Sequence, residues 1–143
     1  MKMKVVVDPD AYMPTRAHET DAGLDLYSPI DTMIGWPGSK TGNSVSIDTG
    51  VHVQIPAGHV GFVKSKSGLM MKYGIITDGT IDSGYTGSIV VKLFNHGDKA
   101  LVIEKGDKIA QLVLLPIITP ELERVGILEE TERGGNGFGS TGR

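Results

Sequence analysis

Glycine and proline interrupt this sequence so often that a long helix has little room to form. The 143 residues include 20 glycines and 7 prolines, and both residue types favour turns between short secondary-structure elements. Between these turns, apolar and polar residues alternate most clearly over residues 45–55. Alternation of this kind places one face of a β-strand on a core and the other face in water. The chain is therefore predicted to be an all-β protein.

Further strands are predicted at short, fairly even intervals along the chain, over residues 60–63, 88–95, 101–104 and 108–115. This spacing is typical of a β-sandwich or a β-barrel. The best helix candidate covers residues 68–73, with Ser67 as its N-cap. A second stretch, residues 120–124, predicts one helical turn.

Composition and charge exclude several kinds of function. The formal net charge of −3 provides no general basic surface, so no nucleic-acid partner is expected. The absence of cysteine excludes disulfides, thiolate catalysis and zinc–thiolate sites. No apolar run reaches membrane-spanning length, and the N-terminus lacks the long apolar segment of a signal peptide. We therefore expect a cytoplasmic protein without membrane contact.

The glycine-rich end of the chain differs from the rest. We expect a β-domain over residues 1–132 and a flexible C-terminal segment over residues 133–143. Composition alone favours a mobile tail, because the segment has almost no apolar area to bury. The alternative is a lid, in which glycine amides and hydroxyl groups wrap a phosphate, Arg133 supplies charge and Phe138 stacks on a base.

Two segments between predicted strands allow either a structural or a chemical interpretation. Residues 80–87 predict a hairpin turn in which Asp82 bonds backbone amides. Alternatively, Asp82 activates a water molecule and the ring of Tyr85 lies beside it. Residues 64–68 predict either a solvated basic loop or a helix N-terminus that binds an anion.

Taken together, five segments resemble the five sequence motifs of the trimeric dUTPase family, in the family's order and spacing. The five segments are residues 22–26, 66–69, 79–87, 106–112 and 133–142. The third and fifth are the most specific, and the resemblance covers nearly the whole chain.

The resemblance implies a fold, a reaction and an assembly. The fold would be a distorted jelly-roll β-barrel with one short helix and a C-terminal arm. The reaction would be the Mg²⁺-assisted hydrolysis of dUTP to dUMP and pyrophosphate, which limits uracil incorporation into DNA and supplies dUMP. Three identical subunits would share three active sites.

The resemblance also implies roles for the residues of the third motif. Asp82 would orient the water that attacks the α-phosphorus, and Tyr85 would pack beneath the deoxyribose and exclude a 2′-hydroxyl group. The backbone of Gly79, Thr80 and Ile81 would read the uracil edge.

The other motifs would hold the triphosphate and the metal. These expected contacts are Lys66, Ser67, Gly68 and Gln111 on phosphate oxygens, Arg133, Phe138, Gly139 and Ser140 in the closing lid, and Asp25 near Mg²⁺ through water.

The chain departs from the family pattern at three positions. Lys66 stands where the family usually has arginine, and it lacks the bidentate fork, so either the phosphate contact is looser or Lys64 shares it. Ser65 stands where proline is common. Ile76 stands where a polar residue is usual, and substrate specificity is expected to survive because the backbone makes the uracil contacts.

Two other functions remain alternatives at this point. The related dCTP deaminases share the fold, although Asp82 and Tyr85 match the hydrolase pattern better. A nucleotide-gated binding module without catalysis is the second alternative, and the intact Asp82 and C-terminal motif argue against it.

Overall fold

A computed structural model describes residues 1–137 of the chain. It contains ten strands and one short helix: β1 Lys4–Val7, β2 Gly23–Tyr27, β3 Thr32–Ile34, β4 Ser44–Gln54, β5 His59–Lys64, α1 Ser67–Tyr73, β6 Ile75–Ile76, β7 Asp78–Ile81, β8 Ser88–Asn95, β9 Leu101–Ile103 and β10 Lys108–Pro116. Among these residues, no helix has the length and apolar character needed to cross a membrane.

The strands form two four-stranded antiparallel sheets and a two-stranded ladder. The first sheet has the order β1-β4-β8-β6, the second has the order β2-β10-β5-β7, and β3 pairs with β9. The prediction of an all-β, jelly-roll fold with one short helix is confirmed, although the strands do not close into a single hydrogen-bonded barrel.

The core lies where the alternating faces of the strands meet. In β8, Ile89, Val91 and Leu93 are fully buried, while the residues between them face outward. β4 pairs with β8 and adds Ile47 and Val51 to the same core. Burying one such side chain stabilises the fold by about 1.5–3 kcal/mol, so the period-two pattern fixes which face of each strand points inward.

The helix prediction is confirmed, but its proposed N-cap is wrong. α1 begins at Ser67, Lys66 occupies the N-cap position, and no side chain caps the first turn. Gly74 ends the helix in the left-handed conformation, with φ of 68°, which glycine adopts without the Cβ penalty. The helical turn predicted for residues 120–124 is absent.

After β10 the chain continues as an irregular, exposed segment over residues 117–137. It is tied to the sheets where the Ile117 amide donates to the Gly58 carbonyl over 2.9 Å. Ile118 is 90% exposed and Leu122 is 96% exposed. Large apolar side chains that stay exposed on an irregular segment often mark a contact surface.

Candidate active site

Two lysines share one buried carboxylate on β2, an outermost strand of the second sheet. Asp25 lies on β2 and is only 5% exposed. Lys108 Nζ, from β10, lies 2.8 Å from one carboxylate oxygen, and Lys66 Nζ, from the segment after β5, donates to the other. We call Asp25, Lys66 and Lys108 the ion-paired cluster.

The cluster carries more positive than negative charge. Burial raises the pKa of Asp25, but hydrogen bonds and charges from Lys108 and Lys66 outweigh it and hold this pKa below its ordinary value. Donation to Asp25 in turn raises the pKa of Lys108. With the carboxylate ionised and both lysines protonated, a net single positive charge remains, which suits an anionic ligand.

Lys64, the other basic residue considered for the phosphate contact, is not part of the ion-paired cluster. Lys64 Nζ instead pairs with the carboxylate of Asp78 on the neighbouring strand β7, and both of these side chains are largely exposed. Lys108 was missed because its partnership with Asp25 depends on the pairing of β10 with β2. No local signal in the sequence announces that pairing.

Ser65 directly precedes the second motif, and next to the cluster it links the segment before the third motif to Gln111 of the fourth. Its hydroxyl donates to the Thr77 carbonyl over 3.0 Å and accepts from the Thr77 amide over 2.9 Å. Its own carbonyl accepts from Gln111 Nε2 over 3.0 Å. A side chain at Gly23 would overlap Gln111, so the glycine of the first motif leaves room for the glutamine of the fourth.

The first turn of α1 follows directly after Ser65 and Lys66. Ser67 and Gly68 are both exposed there, and the leading amides of a helix have no partner within the helix itself. The predicted phosphate contacts Ser67 and Gly68 therefore directly follow Lys66 of the ion-paired cluster along the chain.

Residues 82–87, which we call the Asp82 turn, form the second group of predicted site residues. Asp82 is exposed, and its carbonyl accepts from the Tyr85 amide over 3.0 Å. The Tyr85 hydroxyl donates to the Ser88 carbonyl over 2.9 Å, which fixes the ring across the turn. A Cβ at Gly87 would overlap this ring, so only glycine allows the approach.

The prediction of a hairpin at the Asp82 turn is wrong. β7 pairs with β5 in the second sheet, whereas β8 pairs with β4 and β6 in the first sheet. The turn therefore carries the chain from one sheet to the other.

A pocket of about 220 Å³ opens beside the Asp82 turn. Its lining consists of Thr80, Ile81, Asp82, Tyr85, Ser88 and Val90. Gly79, Thr80 and Ile81 belong to β7, the outermost strand of its sheet, so one edge of their backbone remains unpaired in that sheet. An unpaired strand edge offers amides and carbonyls in alternation.

The two groups of predicted site residues do not meet within the part of the chain that the structure describes. Lys64 pairs with Asp78 at one end of β5 and β7, and Gly61 pairs with Ile81 three residues along. At about 3.3 Å per residue, these two ends are about 10 Å apart. The ion-paired cluster lies beyond the first end and the Asp82 turn lies beyond the second.

Of the predicted lid residues, the structure describes only Arg133. Arg133 lies on the exposed C-terminal segment, where its Nε donates to the Asn136 carbonyl over 2.9 Å. Phe138, Gly139 and Ser140 lie outside the described residues.

Comparison with known proteins identifies the family to which this chain belongs. The sequence profile of the dUTPase family matches residues 10–142. The chain belongs to the dUTPase family. The family and the enzyme class predicted from the five motifs are confirmed.

Relatives and solved structures of this family cover almost the whole chain. The deoxyuridine 5′-triphosphate nucleotidohydrolase of Clostridium tetani is 42% identical over 146 residues, which cover 100% of this chain and 97% of the relative. The enzyme of that name from Paramecium bursaria Chlorella virus 1 is 41% identical, with 92% and 91% covered. The Staphylococcus bacteriophage 80alpha dUTPase, solved with dUpNHpp, superposes with a TM-score of 0.87, 34% identity and 99% of each chain covered.

One further dUTPase structure bears on metal binding. A mutant dUTPase of phage phi11 of S. aureus, whose structure is reported to reveal the coordination of a structural Mg(II) ion, has a TM-score of 0.79 to this chain. It is 30% identical, and the match covers 91% of this chain and 100% of that one.

The residues of the present dUTPase-family chain can be compared with what Mg²⁺ requires. Over residues 1–137, no group of three or more His, Cys, Asp or Glu side chains could hold a metal ion. Both carboxylate oxygens of Asp25 already accept from lysines. Mg²⁺ keeps several waters and often takes its remaining ligands from substrate phosphates. The described residues therefore do not form an all-protein metal cage.

Proposed function

We propose that this chain hydrolyses dUTP to dUMP and pyrophosphate. In this reaction Asp82 orients a water molecule, and the water attacks the α-phosphorus of dUTP. The observation that carries the proposal is the pocket at the Asp82 turn, where a free carboxylate and a tyrosine ring meet the unpaired edge of β7. An exposed carboxylate can accept a hydrogen bond from water and take its proton as the new P–O bond forms. The names of the relatives support the choice of substrate.

Recognition of the nucleoside is assigned to the walls of this pocket. The amides and carbonyls at the outer edge of Gly79, Thr80 and Ile81 would pair with the uracil edge as a neighbouring strand would. Cytosine reverses the donor and acceptor pattern of uracil at N3 and at the substituent on C4, so it would leave polar groups unpaired. Tyr85 would pack against the deoxyribose and leave no space for a 2′-hydroxyl group.

The triphosphate is assigned to the second group of residues. Lys66, next to the helix amides of Ser67 and Gly68, would bind phosphate oxygens, and Gln111 would join the same network. The surplus positive charge of the ion-paired cluster supports this assignment. Phosphoryl transfer depends mainly on positioning and charge neutralisation, so a net-acidic protein can carry it out with a few local cations.

We assign the two groups of one active site to different subunits of a homotrimer. Pockets for small molecules usually measure about 300–1,000 Å³, and the pocket at the Asp82 turn is smaller, at about 220 Å³. The exposed apolar side chains of residues 117–128 offer a surface for a neighbouring subunit to cover.

Mg²⁺ would enter with the substrate. When bound to the triphosphate, it would neutralise charge on the phosphate oxygens. Asp25, fixed by its two lysines, would face the ion only through water.

Residues 133–143 are assigned to a lid that closes over the bound nucleotide, with Arg133 on the γ-phosphate, Phe138 on the uracil, and Gly139 and Ser140 closing beside them. Removing residues 134–143 should then lower turnover by roughly 10²-fold, because the reacting groups lose their fixed geometry. The melting temperature should barely change, because the segment has little apolar area. If the truncated protein keeps wild-type turnover, these residues are a mobile tail and not a lid.

The function is tested by incubating the purified protein with Mg²⁺ and each of dUTP, dTTP, dCTP and UTP. Pyrophosphate should form from dUTP far faster than from the others. Release of ammonia from dCTP would instead indicate a deaminase, and comparable rates with dUTP and dCTP would contradict the pocket assignment.

Light scattering should report three copies of the 15.2 kDa chain, and full activity from a monomer would contradict the shared sites. A cytoplasmic location remains part of the proposal.

A further inference from the structure

A histidine outside the predicted site contacts the Asp82 turn. His52 lies on β4, opposite Val6 of β1 and close to Ser88 of β8 in the antiparallel register. Its ring lies between the Asp82 turn and the segment that follows β1. None of the five sequence motifs includes this residue.

Both ring nitrogens of His52 face groups that can only accept a hydrogen bond. Nδ1 lies 3.0 Å from the carbonyl oxygen of Thr86, and Nε2 lies 3.3 Å from a carboxylate oxygen of Asp8. A neutral imidazole carries one N–H group, whereas the imidazolium carries two. Only the protonated ring can therefore donate to both partners at once.

We propose that His52 is a positioning residue for the reaction and that its imidazolium form holds the Asp82 turn in place through the carbonyl of Thr86. Thr86 stands between Tyr85, whose ring lines the pocket, and Gly87, against which that ring packs. A hydrogen bond that fixes this carbonyl limits how the whole turn can move. The catalytic part of this inference rests on the function proposed above, whereas the link between His52 and the turn does not.

The surroundings of His52 favour the charged ring. The hydrogen bond to the Thr86 carbonyl raises the pKa of His52, and Asp8 raises it further, while partial burial opposes them. The charged groups that act on the ring are Asp8, from the segment after β1, and Asp48, from β4 itself. β1 contributes apolar Val6 and β8 contributes uncharged Ser88 at this position.

The sign of the pH dependence follows from this direction. Because the pKa of His52 is raised in the folded protein, the double contact is complete at low pH and is lost as the pH rises through that value. The neutral ring would turn a lone pair either toward the Asp8 carboxylate or toward the Thr86 carbonyl, and each arrangement is repulsive. The turn should then loosen at alkaline pH.

The first test uses NMR and needs no substrate. The ring signals of His52 should titrate above the ordinary histidine pKa of about 6.5, and the amides of Tyr85 and Gly87 should shift with the same midpoint. Asp8→Asn should lower that midpoint, because it removes the charge nearest to Nε2. A His52 midpoint at or below the ordinary value, or turn amides that do not follow it, would overturn the proposal whether or not the chain hydrolyses dUTP.

The second test compares two substitutions in the dUTP assay. His52→Asn keeps a donor close to the position of Nδ1 but cannot titrate, so kcat/KM should stay near the wild-type value and lose the alkaline decline assigned to His52. His52→Leu removes the donor and should lower kcat/KM by about tenfold at neutral pH, the scale of one charge-assisted hydrogen bond. If His52→Leu retains full activity with the wild-type pH profile, the positioning role is wrong while the proposed function stands.

Discussion

The ion-paired cluster and the Asp82 turn are built in opposite ways. In the cluster, Asp25 is buried, and lysines from two other segments of the chain converge on it to neutralise its charge. In the turn, Asp82 is exposed and Tyr85 is 45% exposed, and the contacts that shape the turn are made largely by backbone carbonyls. A buried, mutually paired group contributes to folding, whereas an exposed carboxylate remains free to meet a substrate. We therefore expect stability to depend on the cluster and chemistry on the turn.

The largest effect should come from Asp82→Asn, which keeps the side-chain shape but removes the base. General-base assistance contributes roughly 10²–10⁴-fold, so kcat with dUTP should fall by about that factor. Binding of dUpNHpp and the melting temperature should stay close to wild type. An unchanged kcat accompanied by a lower melting temperature would reverse the comparison, because Asp82 would then be only a structural turn residue.

Asp25→Asn should lower stability more than Asp82→Asn does. It removes charge-assisted hydrogen bonds from two lysines, so the free energy of unfolding should fall by about 1.5–3 kcal/mol. The matched control is Asp78→Asn, which breaks the exposed pair with Lys64 and should cost about 0–1 kcal/mol. Chemical denaturation measures both variants. Equal losses would mean that burial does not distinguish the two pairs.

The carboxylate of Asp25 should make the free energy of unfolding depend on pH in the acid range. Because the pKa of Asp25 is lowered in the folded protein, its contribution is complete above about pH 3.9, the ordinary value for aspartate, and is lost as the pH falls through the folded value. Denaturation series across the acid range should therefore show a smaller loss of stability for Asp25→Asn than for wild type. Parallel curves would remove Asp25 from the account of acid stability.

The smallest effect should come from Gly87→Ala, which tests the fine shape of the turn. The added methyl overlaps the ring of Tyr85, and displacing a side chain from its rotamer costs about 0.5–1.5 kcal/mol. Turnover of dUTP should fall by roughly two- to tenfold, and discrimination against UTP should weaken. Gly84→Ala is the matched control in the same turn, because a Cβ there meets nothing within 4 Å. Equal behaviour of the two variants would contradict the packing argument.

Elements with a strong periodic pattern could be predicted from the sequence, and very short ones could not. The alternation in β4 was clear because one face of this strand packs on the core over many residues. β6 has two residues and β3 has three, too few for any period to show. Strand pairing was also hidden, since nothing local reveals that β7 and β8 belong to different sheets. That is why the hairpin prediction at the Asp82 turn was wrong.

The residues of the candidate site divide in the same way. Those in short motifs could be predicted, and those that depend on strand pairing could not. The motifs pointed to Asp82, Tyr85 and Lys66 because each lies within a short segment of recognisable spacing. Lys108 and His52 were missed because each acts through a partner that is distant in sequence and becomes a neighbour only when strands pair. Contacts made across a sheet depend on register, and register is a property of the assembled fold.

The pairing of β2 with β10 has a consequence for synthesis of the chain. β2 ends at Tyr27 and its ladder partner ends at Pro116, so at about 5–20 residues per second roughly 4–18 s separate their appearance during translation. For that interval β2 lacks its neighbour in the sheet, and folding governed by such distant contacts is slow. Asp25 is therefore first exposed to water as an ordinary carboxylate, and it gains Lys108 only when the last strand docks.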